Sequence, residues 1–249
     1  MPLIRHLQVR HARNPAVLSY HALRQAVGWI AVCLPVALLL SSWIVPSEHG
    51  IPFAISAYYY TPMRDVLVGS LCAIAFFNLS ARGYDWRDEV AGIVSAISAL
   101  GLAFCPTWPP GGGGRFAQLL SEAHHVFAET FFATLAITCL ALFRTTAANR
   151  PLTRAKRRRN MIYLVCGVVM VVCGVVDFIC QHMRPIPQWG PVGSIFCCEF
   201  VALEAFGIAW LVKGKTFRKK KRHSVGASSI AGAPSFAPVV GAKGGSRIH

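Results

Sequence analysis

Six apolar segments, each close to the length that crosses a lipid bilayer, constrain the fold of this chain more than any other feature. A helix needs about 20 residues to cross roughly 30 Å of hydrocarbon, and the shortest spans have about 17. The chain is 54% apolar and only 14% charged, which an ordinary soluble surface does not tolerate. We therefore predict an all-α, polytopic membrane protein that folds as a six-helix transmembrane bundle. The predicted spans are residues 25–45, 62–81, 89–105, 123–143, 161–180 and 192–212.

The distribution of lysine and arginine predicts the orientation of this bundle. Loops rich in these two residues stay on the cytoplasmic side of a membrane. With six spans, the segments on the side of the two termini hold 22 of the 25 basic residues. The opposite side holds three, namely Arg64, Arg115 and Arg184. The alternation predicts that both termini are cytoplasmic.

Three regions follow from this topology. Residues 1–24 form a basic cytoplasmic segment, 25–213 form the six-span transmembrane domain, and 214–249 form a tail that is first basic and then disordered. The formal net charge of +15 does not indicate nucleic-acid binding, because the basic residues lie between apolar runs and not across a soluble face. Membrane lipid is the predicted partner, since basic segments attract the anionic leaflet. The sequence leaves the oligomeric state open.

Small residues inside the spans predict helix packing. All nine cysteines lie in or beside apolar runs and none forms a C-x-x-C pair, so we predict free thiols. In the fifth span, Gly167 and Gly174 lie seven residues apart, which favours the close approach of a neighbouring helix.

Polar residues within the spans are the best pointers to function, because ionisable groups are costly in a bilayer and mark functional sites. Here they gather in the outer half of the predicted bundle. We expect Arg64 to hold an anionic group of a ligand and Tyr59 to donate a hydrogen bond to it. The carboxyl groups and His125 would set the balance of charge and protons. The predicted ligand-binding residues are Tyr59, Arg64, Asp65, His125, Glu129, Asp177 and Glu199.

Two functions without catalysis are compatible with this cluster. In the first, which we favour, the outer half contains a polar pocket that binds or senses a small or lipid-derived ligand. In the second, the polar groups pair internally, for example Arg64 with Asp177 or Glu199, and have a structural role.

A third interpretation is a metal-dependent intramembrane lipid hydrolase. Zn²⁺ would then be held by His124 or His125 with Glu129, Asp177 and His182. The adjacent histidines diverge by about 100° on a helix, and the chain contains neither H-E-x-x-H nor G-x-S-x-G. The sequence therefore argues against an enzyme, and a zinc cofactor is expected only under this alternative.

Several motifs carry a resemblance to known proteins. They are residues 56–69 (SAYYYTPMRDVLVG), Asp85, Asp88, residues 104–107 (FCPT), the His124–His125 pair and residues 204–214 (EAFGIAWLVKG). Over about residues 25–214 the chain resembles a family of uncharacterised bacterial six-span inner-membrane proteins. Its layout is also similar to that of the damage-regulated autophagy modulator family. The resemblance implies a six-span fold in a bacterial inner membrane, and neither family implies a reaction.

Overall fold

Six α-helices make up most of the structure. The computed structural model describes residues 15–44, 50–80, 86–144, 153–182, 188–189 and 192–230. Its helices are α1 (Pro15–Ile44), α2 (Arg64–Ser80), α3 (Trp86–Phe104), α4 (Arg115–Ile137), α5 (Arg154–His182) and α6 (Ser194–Ile230). A 3-10 helix at Ser56–Tyr60 precedes α2, and a π-helix at Thr138–Leu142 continues α4. Two short strands, β1 (Gln188–Trp189) and β2 (Val192–Gly193), pair in antiparallel fashion before α6. The prediction of an all-helical chain is confirmed, and each predicted span overlaps one helix.

The helices form a closed ring. Each one packs against the helices that precede and follow it in the sequence, and α6 completes the ring by packing along α1. Packing between sequential neighbours is typical of an up-and-down bundle. Its largest fully buried side chains come from several helices and from the 3-10 helix. They include Leu38, Tyr58, Ile74, Phe131, Leu135, Met170, Phe196 and Phe206.

Much of the outer surface of the bundle is apolar, as a lipid-facing surface requires. Within the described residues, four helical stretches are long and apolar enough to cross a membrane: Leu23–Ile44, Arg115–Leu142, Arg154–Gln181 and Ser194–Gly214. On α5 alone, the exposed large side chains include Val168, Val172, Val175, Phe178 and Ile179. In water this face would be a costly exposed patch, whereas acyl chains cover it without penalty.

The other two helices are less typical of membrane spans. Helix α2 has 17 residues, which at 1.5 Å per residue is about 26 Å. Helix α3 has 19 residues, but its first turn carries Arg87, Asp88 and Glu89. The two acidic groups suit the positive end of the helix dipole. Both helices pack against each other and against the longer helices of the ring.

Two helices extend past the predicted boundaries of the transmembrane domain. Helix α1 starts at Pro15 and so includes part of the basic segment 1–24. Helix α6 continues through the basic run to Ile230, into the region predicted as a tail. Lysine and arginine are good helix formers, and no proline interrupts α6. Residues 231–249, also predicted to be disordered, lie outside the described residues.

Helices α1 and α6 approach each other most closely at two glycines. A Cβ atom built on Gly207 would lie 2.9 Å from the carbonyl oxygen of Gly28 and 3.0 Å from the backbone nitrogen of Val32. Gly167 has the packing role predicted for it, since a Cβ there would meet Leu140 at 2.5 Å. Gly174, however, has no atom within 4 Å of its Cβ position, because it lies on the exposed side of α5. All nine cysteines are free, as predicted.

Candidate functional site

A cavity lies inside the bundle beneath the 3-10 helix. The empty space of about 560 Å³ within its lining includes the open solvent at its mouth, so the enclosed part is much smaller. Its wall is mostly apolar and is built by α1, α2, α3, α4 and α6, with Leu34, Leu71, Leu102, Phe132 and Leu203 among the lining residues. The polar side chains that line it are Ser56, Tyr59, His124 and Glu199. We call this space the outer cavity, because it lies at the end of the bundle that the basic residues predict to be outside.

Glu199 holds residues 55–60, which we call the outer segment, on the bundle. Its Oε2 accepts a hydrogen bond from the backbone N–H of Ile55 at 2.5 Å, and its Oε1 accepts one from Ser56 Oγ at 3.4 Å. The first N–H groups of a helix have no partner within the helix, and Ile55 provides no side-chain cap. A carboxyl group from α6 therefore caps the 3-10 helix from across the bundle, where the helix dipole also favours negative charge.

Three consecutive tyrosines extend from the 3-10 helix in different directions, as its three-residue turn requires. Tyr58 is 1% exposed and its hydroxyl shares a 2.6 Å hydrogen bond with Ser42 on α1. Burial raises the pKa of the Tyr58 phenol, so it stays protonated at neutral pH. Tyr60 donates to the backbone oxygen of Thr107 at 2.5 Å. The segment is thus fixed to α1, to α6 and to the loop after α3.

The middle tyrosine connects the outer cavity to Arg64. Tyr59 lines the cavity, and its hydroxyl accepts a hydrogen bond of 2.6 Å from Arg64 Nη2. The guanidinium also lies over the Tyr59 ring, 4.3 Å from its centroid. Arg64 itself is exposed at the start of α2, as is its neighbour Asp65. Arg64 therefore contacts a tyrosine and does not reach the carboxyl group that lines the cavity.

Of the adjacent histidines on α4, His124 is the one that lines the cavity. It is 5% exposed, and its Nδ1 lies 2.6 Å from the carbonyl oxygen of Cys105. Because a carbonyl only accepts, Nδ1 carries the proton and a neutral ring presents Nε2 as an acceptor. The predicted residue, His125, is exposed, with its ring edge against His124 at 6.0 Å between centroids. Helical spacing could have distinguished the two, since His124 shares its face with Ala128 and Phe131.

The remaining predicted residues lie beside the cavity. Glu129 is exposed on α4, and Asp177 is half-buried on α5, where its Oδ2 accepts a 2.7 Å hydrogen bond from Gln181. Asp177 is close enough to Glu129 and to Glu199 for their charges to interact. Of the seven predicted residues, Tyr59 and Glu199 line the outer cavity, and the structure adds Ser56 and His124 to them.

Metal ligation finds little support in this arrangement. Among the residues that the structure describes, no three His, Cys, Asp or Glu side chains are grouped so that they could hold a metal ion. His124 donates a hydrogen bond to a backbone carbonyl, and His125 is exposed and does not line the cavity. The side chain of His182, the remaining histidine of the zinc alternative, lies outside the described residues.

Comparison of the chain with models of protein families, with curated proteins and with solved structures gives no match. The resemblances to a bacterial six-span family and to the autophagy modulator family stay predictions. The function must be argued from the geometry of the site.

Proposed function

We propose that all six helices cross a bacterial inner membrane and that both termini are cytoplasmic. The ring order of the helices supports this topology, because sequential neighbours that pack side by side and alternate in direction leave each loop at one of two ends. The asymmetry of 22 basic residues against three supports the orientation. Helices α2 and α3, though short or charged at one end, pack against each other and are flanked as a pair by the longer helices α1 and α4.

Cysteine labelling in spheroplasts tests this orientation. In a background in which the nine free native cysteines are replaced by serine, a membrane-impermeant maleimide should label Gly111→Cys, which lies in the loop before α4 and has open space around it. Thr153→Cys, at the start of α5, should react only after permeabilisation, because it lies at the opposite end of the bundle. Equal labelling of both variants in intact spheroplasts would refute the six-span topology.

The function that we propose is binding or sensing of a lipid-derived or small apolar ligand in the outer cavity. The observation that carries this proposal is the composition of the cavity wall, in which leucine and phenylalanine side chains surround one polar cluster of Ser56, Tyr59, His124 and Glu199. Ligand sites are commonly apolar clefts with a few converging polar groups that fix orientation. An acyl or isoprenoid chain would occupy the apolar part, and its polar end would meet the cluster.

Electrostatics favours a ligand whose polar end is neutral or cationic. The carboxyl groups of Glu129, Asp177 and Glu199 lie on adjacent helices of the same half, and their mutual interaction disfavours a further negative charge. Arg64, to which the sequence assigned an anionic group, is exposed and stacked on Tyr59. A carboxyl group offers about four acceptor positions, so Glu199 can bind a ligand hydroxyl in addition to its two donors.

Filling the cavity provides a direct test. Ala128 lines it from α4, so we expect Ala128→Phe to weaken binding of 1-monooleoylglycerol by at least about tenfold, because the ring occupies the space of the acyl chain. Ala133→Phe is the matched control, since Ala133 lies on the exposed side of the same helix. Lipid-induced shifts of the melting temperature in detergent measure both affinities. If the two variants bind this lipid as tightly as the unmodified chain, the outer cavity is not its site.

A structural role is the second candidate, and specific contacts favour it. Glu199 caps the 3-10 helix, Tyr59 binds Arg64, and His124 binds the carbonyl of Cys105. If these contacts were the whole role of the cluster, Ala128→Phe would fill an empty space without loss of any bound lipid. Native mass spectrometry of the purified protein separates the two functions, because it counts the lipid molecules that remain bound.

A further inference from the structure

A second cavity lies at the opposite end of the bundle from the outer cavity. It lies between α1, α2, α3, α6 and the π-helix that continues α4, and its empty space of about 430 Å³ includes the open solvent at its mouth. Its polar lining residues are Arg24, Asn78, Asp88, Ser95, Thr138 and Lys213. The basic residues place this end in the cytoplasm under the proposed topology. We call it the inner cavity.

The inner cavity has an excess of positive charge. Arg24 on α1 and Lys213 on α6 contribute two cations to the lining residues, against the single carboxyl group of Asp88 on α3. Lys213 also lies close enough to Arg24 and Lys156, and to the opposite charge of Asp88, for these charges to interact. The carboxyl group of Asp88 offsets one of the two lining cations, which leaves one positive charge in excess. The lining therefore favours a negatively charged group.

The wall of the inner cavity also contains an indole N–H without a partner in the described part of the chain and a cation that lies over an aromatic ring. Trp210, which is 9% exposed, lines the cavity, and its indole Nε1 is buried with no hydrogen-bond partner among the described residues. Buried donors usually have a partner, so this N–H indicates a missing acceptor. The ammonium group of Lys213 lies 4.3 Å from the centroid of the Phe143 ring, which fixes its position.

The backbone around the cavity is specialised as well. The π-helix side of the cavity is lined by Thr138, Leu142 and Phe143. The backbone N–H of Phe143 donates a hydrogen bond of 2.9 Å to the backbone oxygen of Thr138. Single π-turns within α-helices occur frequently at functional sites. On the facing side, Asn78 donates to Ser95 Oγ at 3.1 Å, a buried polar pair that keeps this part of the wall hydrophilic.

We propose that the inner cavity binds a phosphate group, carried either by an anionic phospholipid of the cytoplasmic leaflet or by free phosphate. Arg24 and Lys213 would bind its oxygens, and the Trp210 N–H would donate to one of them. Basic pockets between transmembrane helices on the cytoplasmic side commonly bind such headgroups. This site uses none of the residues of the outer cavity, so each proposal can be tested and refuted independently of the other.

Melting of the full chain in mixed micelles tests the inner cavity. We expect dioleoylphosphatidylglycerol to stabilise the protein more than dioleoylphosphatidylcholine at the same mole fraction. Lys213→Gln and Arg24→Gln should each weaken this preference about tenfold, since each removes a charge-assisted contact. Arg87→Gln is the matched control, because Arg87 is an exposed cation stacked on Trp86 at the start of α3 and does not line the cavity.

A substitution that should tighten lipid binding distinguishes loss of the binding site from failure of a variant to fold. Asp88→Asn removes the one carboxyl group of the lining and should tighten the binding of phosphatidylglycerol, which a purely structural contact would not do. Inorganic phosphate at matched ionic strength distinguishes the sources. If inorganic phosphate raises the melting temperature, the site also binds free phosphate. If inorganic phosphate leaves the melting temperature unchanged, the site binds only the lipid. The proposal is overturned if the two lipids stabilise equally, if Arg87→Gln weakens the preference as much as Lys213→Gln, or if Asp88→Asn weakens it.

Discussion

Replacing Gly207 by valine should lower the free energy of unfolding by about 3 kcal/mol, among the largest effects that a single substitution in this bundle can have. A Cβ atom on Gly207 would lie 2.9 Å from the Gly28 carbonyl oxygen and 3.0 Å from the Val32 nitrogen. Both are backbone atoms, so they cannot rotate away as a side chain would. The whole of α1 would have to move from α6, and the closure of the ring depends on this contact.

Gly174→Val is the matched control for this prediction. It makes the same chemical change in a membrane helix, at a position with no atom within 4 Å of the added Cβ. We expect it to change the free energy of unfolding by less than about 1 kcal/mol. Chemical denaturation in detergent, followed by circular dichroism, compares the two variants. Similar losses in both would mean that α1 and α6 do not approach as closely as described.

Replacing Glu199 by leucine should have the second largest effect. The substitution removes the acceptor of the Ile55 N–H and of the Ser56 hydroxyl, and each donor left buried without a partner costs about 1–3 kcal/mol. The 3-10 helix would lose its cap, and the Tyr59 side chain would lose its fixed position over the outer cavity. We therefore expect both a lower melting temperature and a loss of 1-monooleoylglycerol binding of at least about tenfold.

Two variants make this result specific to the capping contact. Glu199→Gln keeps one side-chain acceptor at the same place and should retain most of the stability. Glu204→Leu removes the other carboxyl group of the same helix, five residues further along, where no hydrogen bond to the outer segment is formed. If Glu204→Leu and Glu199→Leu destabilise equally, the effect belongs to any carboxyl group in α6 and not to the cap.

The helices could be predicted from the sequence because the bilayer imposes a length and a polarity on them. Each of the six predicted spans overlaps one helix, since a run of apolar residues can satisfy its backbone in lipid only as a helix. The ends of the helices were less predictable, because a hydropathy profile shows where the apolar run ends and not where the helix ends. Helix α5 begins at Arg154, seven residues before the predicted span, since basic residues continue a helix readily.

The partners of the polar residues were harder to predict. Glu199 was chosen for its cost in the membrane, but its contact with Ile55 joins residues 144 positions apart in the chain and depends on the ring closure. The structural alternative pairs Arg64 with Asp177 or Glu199, yet its hydrogen-bond partner is Tyr59, five residues earlier, and the turn before α2 brings the two together. The sequence prediction names His125, whereas His124 lines the cavity. Helical spacing indicates this difference, because His124 lies on the face of α4 that carries the buried Phe131.

The inner cavity was missed for a different reason. Its cations were counted as topology signals, and a count of charges by compartment does not say which of them point between helices. Arg24 and Lys213 lie 189 positions apart, each one residue beyond a predicted span on the two helices that close the ring. The packing of α1 against α6 brings these two side chains into the lining of the inner cavity.

A density map of the protein extracted with its own lipids and imaged in nanodiscs tests the central claim most directly. The account predicts elongated density in the outer cavity, with one end within hydrogen-bonding distance of Glu199 or Ser56 and the rest along Leu34, Leu71 and Phe132. A map in which these side chains close the space by direct contact, with no density between them, would contradict it.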